Sequence, residues 1–365
     1  MTDSQASSCL ERWLRPEIRA LQAYHVADAT GMIKLDAMEN PYRWPAELLD
    51  QWQRYLSKAE LNRYPDPDAQ ILDKALRRAQ GIPDAAGLLL GNGSDELIQL
   101  IMLSIAGPGR VIMAPEPGFS MYQMIATFVG LDFVGVPLRQ PDFALDSQAM
   151  LQAIEQHQPA VIFLAYPNNP SGNLFDDEAI RGIIAAAPGL VVIDEAYHAF
   201  AEASWMGQVL DYDNLMILRT LSKMGLAGLR LGMLIAARAW TEEFNKIRLP
   251  YNINCLTQLS AAFAMEQDAV LREQSERIIR DREALYRQLS QISGLTVYPS
   301  RANFILFRVP QGTAADIFEG LQRDGILIKN LHKTGTVLAD CLRVTVGTES
   351  ENEAFLASLR RLVQV

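Results

Sequence analysis

Residues 161–197 read VIFLAYPNNPSGNLFDDEAIRGIIAAAPGLVVIDEAY. The runs at 161–165 and 190–193 are apolar without alternation, as in strands covered on both faces. Between them, residues 176–187 carry helical spacing and an acidic first turn. Buried strands separated by helices predict an α/β protein built on a mostly parallel sheet. The first run ends in Pro167-Asn168-Asn169-Pro170-Ser171-Gly172, a dense turn signal, and the second in Asp194-Glu195-Ala196-Tyr197.

The same alternation extends to both sides. Strands are predicted at 87–90, 110–114, 131–136, 215–218 and 231–236, and helices at 95–105, 119–129 and 147–156. From about residue 241 the pattern changes. A long helical stretch at 255–292 is followed by short strands at 295–297, 304–309, 326–328 and 342–346, with helices at 314–323 and 352–362. That pattern predicts a smaller α+β unit. The expected division is a large α/β domain over 41–245 and a small domain over 246–365. Residues 1–40 are expected to form an arm on the small domain or on a partner subunit.

At 365 residues and 40.6 kDa the chain is long enough for about two domains with proper cores. Hydrophobic residues are 49% and charged residues 21%, which excludes a disordered chain. Lys plus Arg number 33 against 43 Asp plus Glu, a net charge of −10 without a basic block, so nucleic acid is a poor partner. No run approaches the roughly 18 apolar residues of a membrane span. The opening MTDSQASSCLERWL lacks the basic and apolar segments of a secretory leader. Cys9, Cys255 and Cys341 form neither a metal-spaced pair nor a disulfide framework. Together these features predict a cytoplasmic protein. His25, His157, His198 and His332 show no metal-binding spacing, so no metal is expected.

Ligands of open α/β sheets bind at the carboxyl ends of the strands, and several polar groups collect there. Gly91-Asn92-Gly93-Ser94-Asp95 opens a helix whose N-terminus suits a phosphate, although Ser94 could equally be an ordinary N-cap. Lys223 stands among small and apolar residues after a buried strand, where burial lowers an amine's pKa toward Schiff-base chemistry. Arg230 could clamp a phosphate or form a salt bridge. Asp194 ends an apolar strand and needs a cationic partner, either a structural one or a protonated ring nitrogen. Asn169 is explained by turn formation alone. Taken together, these groups match a ligand with an aldehyde, a pyridinium nitrogen, a phenolic oxygen and a phosphate, which is pyridoxal 5′-phosphate.

At this point the chain resembles the fold-type I pyridoxal-phosphate aminotransferases, and within them the histidinol-phosphate aminotransferase family. The resemblance runs from Leu35-Asp36-Ala37-Met38-Glu39-Asn40-Pro41 to Leu342-Arg343-Val344-Thr345-Val346-Gly347-Thr348. Asn62-Arg63-Tyr64-Pro65-Asp66, Gly91 to Glu96, Pro167 to Gly172, Val192 to Tyr197 and Ala302-Asn303-Phe304 follow the family's order. It implies a mostly parallel seven-stranded sheet, flanked by helices, beside a smaller α+β domain. It also implies roles. Lys223 binds the cofactor and moves a proton, Asp194 holds the ring nitrogen's proton, and Asn169 and Tyr197 bond the phenolic oxygen. Ser94, the Asp95 N–H, Ser222 and Arg230 bind the phosphate, while Phe119 stacks on the ring. Tyr64 reaches the cofactor of a partner subunit, which makes the active unit a homodimer with shared sites. Arg343 binds the substrate's anion.

Three departures stand out. The interval from Lys223 to Arg230 is one residue shorter than in the commoner motif. Lys329 stands where many members carry Arg, giving a point charge in place of a fork. Asp95 brings a carboxylate near the phosphate, so only its N–H is expected to face it. The resemblance implies transamination of L-histidinol phosphate with 2-oxoglutarate, as in histidine biosynthesis. One cationic pocket would then serve a phosphate and a carboxylate in turn, with Arg343 and Lys329 as its charges and Tyr24 and Asn40 shaping an imidazole pocket. An aromatic or phenylalanine aminotransferase and a threonine-phosphate decarboxylase-like enzyme share these motifs. A non-catalytic module of a transcription regulator is disfavoured, because Lys223, Asp194 and Arg230 are all present and no basic helix-turn-helix precedes them.

Overall fold

A computed structural model describes residues 9–23, 26–332 and 336–363. Near the start, β1 (Ile33–Lys34) precedes the strands of the main sheet. These are β2 (Ala86–Asn92), β3 (Val111–Glu116), β4 (Asp132–Pro137), β5 (Val161–Ala165), β6 (Leu190–Asp194), β7 (Leu215–Thr220) and β8 (Leu231–Ala237). They form the expected seven-stranded sheet in the order β2-β8-β7-β6-β5-β3-β4. Parallel pairing joins β4, β3, β5, β6 and β7, whereas β8 runs antiparallel to both its neighbours.

Alternate residues of the same strands enter two different cores. Ile162, Leu164, Val191, Ile193 and Ile217 face one layer. Val161, Phe163, Leu190, Val192 and Leu218 face the other. This is why the runs show no polar alternation: helices bury both faces of the pleat. The helix Asp177–Ala186 starts where expected because the Asp176 carboxylate accepts from the Ala179 N–H at 3.0 Å.

The long helical stretch differs from expectation. It breaks at Gln267 (φ −109°, ψ 29°) into helices Cys255–Glu266 and Asp268–Ser290. The first lies against helices Ala46–Leu56 and Gln70–Gln80, and its Ala261, Ala262, Ala264 and Met265 join the main-sheet core. A division at residue 246 therefore separates this helix from its packing partners. The second helix sends Ile278, Leu285 and Leu289 into another core.

That other core lies under an antiparallel sheet of β9 (Thr296–Val297), β10 (Phe304–Arg308), β12 (Lys329–Asn330) and β13 (Cys341–Thr345), in the order β12-β13-β10-β9. The single strand expected at 326–328 is instead two short ones, because β11 (Ile326–Leu327) leaves to pair with β1. The N-terminal segment thus touches both parts of the chain. Its β1 joins β11, while Arg15 donates to the carbonyl of Phe128 on the helix Met121–Val129. Among the described residues, no helix is long and apolar enough to cross a membrane.

Candidate active site

The carboxyl ends of the parallel strands are brought level by the sheet register. Ala165 pairs with Asp194, Asp194 with Leu218, and Thr220 with Gly232. Because β8 is antiparallel, its first residues lie at this same edge, beside Gly91 and Asn92. One cavity opens there, and ten residues expected from the sequence are grouped at or beside it. Ser94, Asp95, Phe119, Asn169, Asp194, Tyr197, Ser222, Lys223 and Arg230 line it, and Arg343 reaches its Asn169.

Lys223 sits in the short turn of helix after β7. Its Nζ donates to the Ala37 carbonyl at 3.1 Å. Burial, helped by the guanidinium of Arg343, brings its pKa down to about 8. Asp194 is almost fully buried and forms no ion pair among the described residues. Instead Tyr122 Oη donates to its Oδ2 at 2.7 Å, and the Ala196 N–H to its Oδ1 at 3.1 Å. Burial outweighs these bonds and pushes the carboxyl up to about 6. A cation at this carboxylate would reverse that shift.

A second group is joined by hydrogen bonds. Asn169 Nδ2 donates to Tyr197 Oη at 3.1 Å, and Arg343 Nη1 donates to Asn169 Oδ1 at 2.5 Å. Arg343 Nη2 also donates to the Asp36 carbonyl at 3.0 Å, so the guanidinium is held by two elements. Burial pushes the Tyr197 phenol above its usual range, against the pull of Arg343. Lys329 faces Arg343 directly across the β12–β13 pair, on the same side of the small sheet.

The end of the cavity at the helix Ser94–Ile105 is a glycine cradle. Gly93 has φ +86°, and a Cβ there would meet Arg230 Nη2 at 2.6 Å. A Cβ on Gly232 would lie 2.5 Å from the Gly93 carbonyl carbon. Gly93 occupies the N-cap position, so Ser94 is the first helical residue and makes no capping bond, contrary to the N-cap reading. The Asn92 N–H is satisfied instead by Glu96 Oε2 at 2.6 Å. Arg230, itself at φ +50°, has Nη1 3.5 Å from Ser222 Oγ and Nη2 3.7 Å from Asp95 Oδ2. The Asp95 side chain therefore turns to the arginine, and the helix N-terminus remains available to an anion.

Two expected residues lie elsewhere. Tyr64 is 80% exposed and stacks on Tyr251 at 4.5 Å between ring centroids, outside the cavity. Asn40 lies behind Gly225, with Nδ2 donating to Gln274 Oε1 at 3.0 Å and Oδ1 accepting from the Tyr42 N–H at 2.8 Å. Tyr24 falls outside the described residues. The sequence reading missed Tyr122, Thr220 and Met38. Thr220 Oγ1 bonds Ser222 Oγ at 2.9 Å, and Met38 lines the cavity beside Tyr197. Tyr122 gave one usable signal, since it lies one helical turn after Phe119.

This donor set fits pyridoxal phosphate. It offers a buried amine of lowered pKa, a buried carboxylate with no counter-cation among the described residues, and a glycine-lined helix N-terminus with an arginine beside it. Comparison with known proteins agrees. The aminotransferase class I and II family matches residues 30–359. A protein of Nitrosococcus oceani named histidinol-phosphate aminotransferase 2 is 56% identical, covering 96% of this chain and 97% of its own. One of the same name from Cupriavidus pinatubonensis is 49% identical over 97% and 98% of the two chains. The crystal structure of the Sinorhizobium meliloti histidinol-phosphate aminotransferase in complex with pyridoxal 5′-phosphate has the same fold, with a TM-score of 0.86 at 24% identity, covering 96% and 98%. The chain belongs to the aminotransferase class I and II family and, within it, to the histidinol-phosphate aminotransferases.

Proposed function

We propose that this chain transfers the amino group of L-histidinol phosphate to 2-oxoglutarate, giving imidazole acetol phosphate and L-glutamate, with pyridoxal 5′-phosphate as cofactor. The full-length likeness to histidinol-phosphate aminotransferases carries the choice of substrate. When bound, the cofactor supplies an aldehyde to take the amine and a ring to accept the electrons of the substrate carbon.

The chain's own residues do the rest. Lys223 Nζ would hold the cofactor at rest and, once released, would carry a proton from the substrate carbon to the carbon that bore the cofactor's aldehyde. With a pKa brought to about 8, this amine is partly uncharged near neutrality and can act as that base. Asp194 holds the proton on the ring nitrogen. Asn169 and Tyr197, already bonded to each other, present their polar ends to the phenolic oxygen. Ser94, the Asp95 N–H, Ser222 and Arg230 take the phosphate, and Phe119 covers the ring face. Arg343, with Lys329 across the sheet, takes the phosphate of one substrate and the carboxylate of the other. Asn40 acts one layer back by fixing the turn at Gly225. The active unit in this reading is a cytoplasmic homodimer, in which Tyr64 completes the partner's phosphate site.

Steady-state rates with 2-oxoglutarate as acceptor test the substrate. Histidinol phosphate should give a higher kcat/KM than phenylalanine, tyrosine or histidine. A higher value for phenylalanine overturns the assignment in favour of an aromatic aminotransferase. Release of carbon dioxide without any need for 2-oxoglutarate overturns it in favour of a decarboxylase.

A further inference from the structure

We infer that Tyr122 is a positioning residue for the cofactor's ring nitrogen: its hydroxyl keeps Asp194 ionised without neutralising it. The inference rests on the cofactor reading above and extends it to a side chain outside the cavity.

Three observations carry it. Tyr122 is 1% exposed, and its Oη donates to Asp194 Oδ2 at 2.7 Å. Its ring is fixed on two sides: stacked on Phe163 at 4.7 Å and 16°, and met edge-on by Phe119 at 5.4 Å and 85°. The hydroxyl therefore has one place to point. Finally, Asp194 has no cationic partner among the described residues, and Asp95 and Glu195 add further negative charge around it.

The choice of a neutral donor matters. An arginine or lysine at this place would pair with the carboxylate and compete with the ring nitrogen for it. A buried carboxylate without any donor would take up the proton itself, leaving the ring neutral. A phenol whose own proton is held tightly by burial avoids both outcomes. It stabilises the anion by one charge-assisted hydrogen bond and leaves the whole negative charge to the ring N–H. Phe119 meets the same tyrosine, so the residue expected over the ring face and the one expected at its nitrogen share a support.

The test uses Tyr122→Phe loaded with pyridoxal phosphate carrying an isotope-labelled ring nitrogen, followed by nuclear magnetic resonance at neutral pH. In the wild type the nitrogen should resonate as protonated. In Tyr122→Phe the shared proton should move toward the carboxyl, shifting the resonance toward that of the neutral ring. Cofactor affinity, measured by absorbance titration, should fall roughly tenfold, as for the loss of one hydrogen bond to a charged group. If Tyr122→Phe does not fold, Tyr122→para-aminophenylalanine keeps the shape with a weaker donor and should show the same displacement in smaller measure. A resonance at the wild-type position, with affinity within about twofold, would reduce Tyr122 to a packing residue and overturn the inference. A wild-type protein that binds no pyridoxal phosphate would overturn the cofactor reading instead, so the two failures are distinct.

Discussion

At the residue scale, burial holds Asp194, Tyr197 and Lys223 away from their ordinary states, and for Asp194 this has a consequence for stability. In the cofactor-free protein, Asp194 is raised to about 6 from an unfolded value of 3.8. Between those values the folded state keeps a proton that the unfolded chain releases. Stability associated with Asp194 is therefore fully present below about pH 4 and is lost as the pH rises through about 6. The loss is on the order of 3 kcal/mol, at about 1.36 kcal/mol for each tenfold change in proton affinity. Asp194→Asn has no such proton. Urea unfolding of the two cofactor-free proteins should thus give stability curves that diverge across this window, with the wild type falling relative to the variant. Parallel curves would mean that the carboxyl is not held neutral. Bound cofactor should cancel the divergence, because a cation at the carboxylate restores its ordinary charge.

Among the elements, the junction of β6 and β7 concentrates both the legible and the illegible parts of the site. The strands were legible because burial on both faces leaves unbroken apolar runs, and Asp194 was legible as a charge at the end of one. Gly93 showed why Ser94 was only half read. A cap position at φ +86° is a backbone property, and a glycine there moves the serine one place into the helix. Tyr122 was hidden because its partner is 72 residues away, and helical spacing cannot say which sheet atom a buried hydroxyl meets. Arg219 did leave a trace, as an arginine inside the apolar strand Leu215–Thr220. Such a charge requires a buried partner, and Glu195 is that partner. Arg219 Nε and Nη2 donate to Glu195 Oε2 at 2.9 and 2.8 Å, while Nη1 donates to the Gln80 carbonyl at 3.0 Å. The two side chains are 5% and 0% exposed. They tie the residue after Asp194 to the residue before Thr220, so one ion pair sets the spacing of both strand ends. Removing one partner strands a buried charge, and Glu195→Leu should destabilise the protein by about 3–5 kcal/mol. Glu195→Leu combined with Arg219→Met removes both charges and should lose less than Glu195→Leu alone. Denaturation midpoints read this directly, and losses that simply add would show that the two charges act independently.

For the whole molecule, the arrangement of the cores of the main and small sheets explains what one chain can and cannot complete. Helix Cys255–Glu266 packs with the main sheet's helices, and the long helix after it enters the core under the small sheet. Arg343, from that small sheet, reaches Asn169 beside the main sheet, so one cavity draws on both parts. Tyr64 breaks this pattern. Its family motif assigns it to a phosphate, yet it is 80% exposed and lies outside its own chain's cavity. In the proposed homodimer each site takes Lys223 from one subunit and Tyr64 from the other, and this can be checked by complementation. Lys223→Ala should be inactive. Tyr64→Ala should be nearly so, through loss of a phosphate contact at each site. When the two variants are dissociated and re-associated in equal amounts, about half of the dimers are mixed. Each mixed dimer has one site with both native residues and one with neither. Activity should therefore return to about a quarter of the wild-type value, because half of the dimers each carry one working site of two. If Tyr64 served its own chain, no mixed dimer would hold a working site, and re-association would restore nothing beyond the residual rate of Tyr64→Ala.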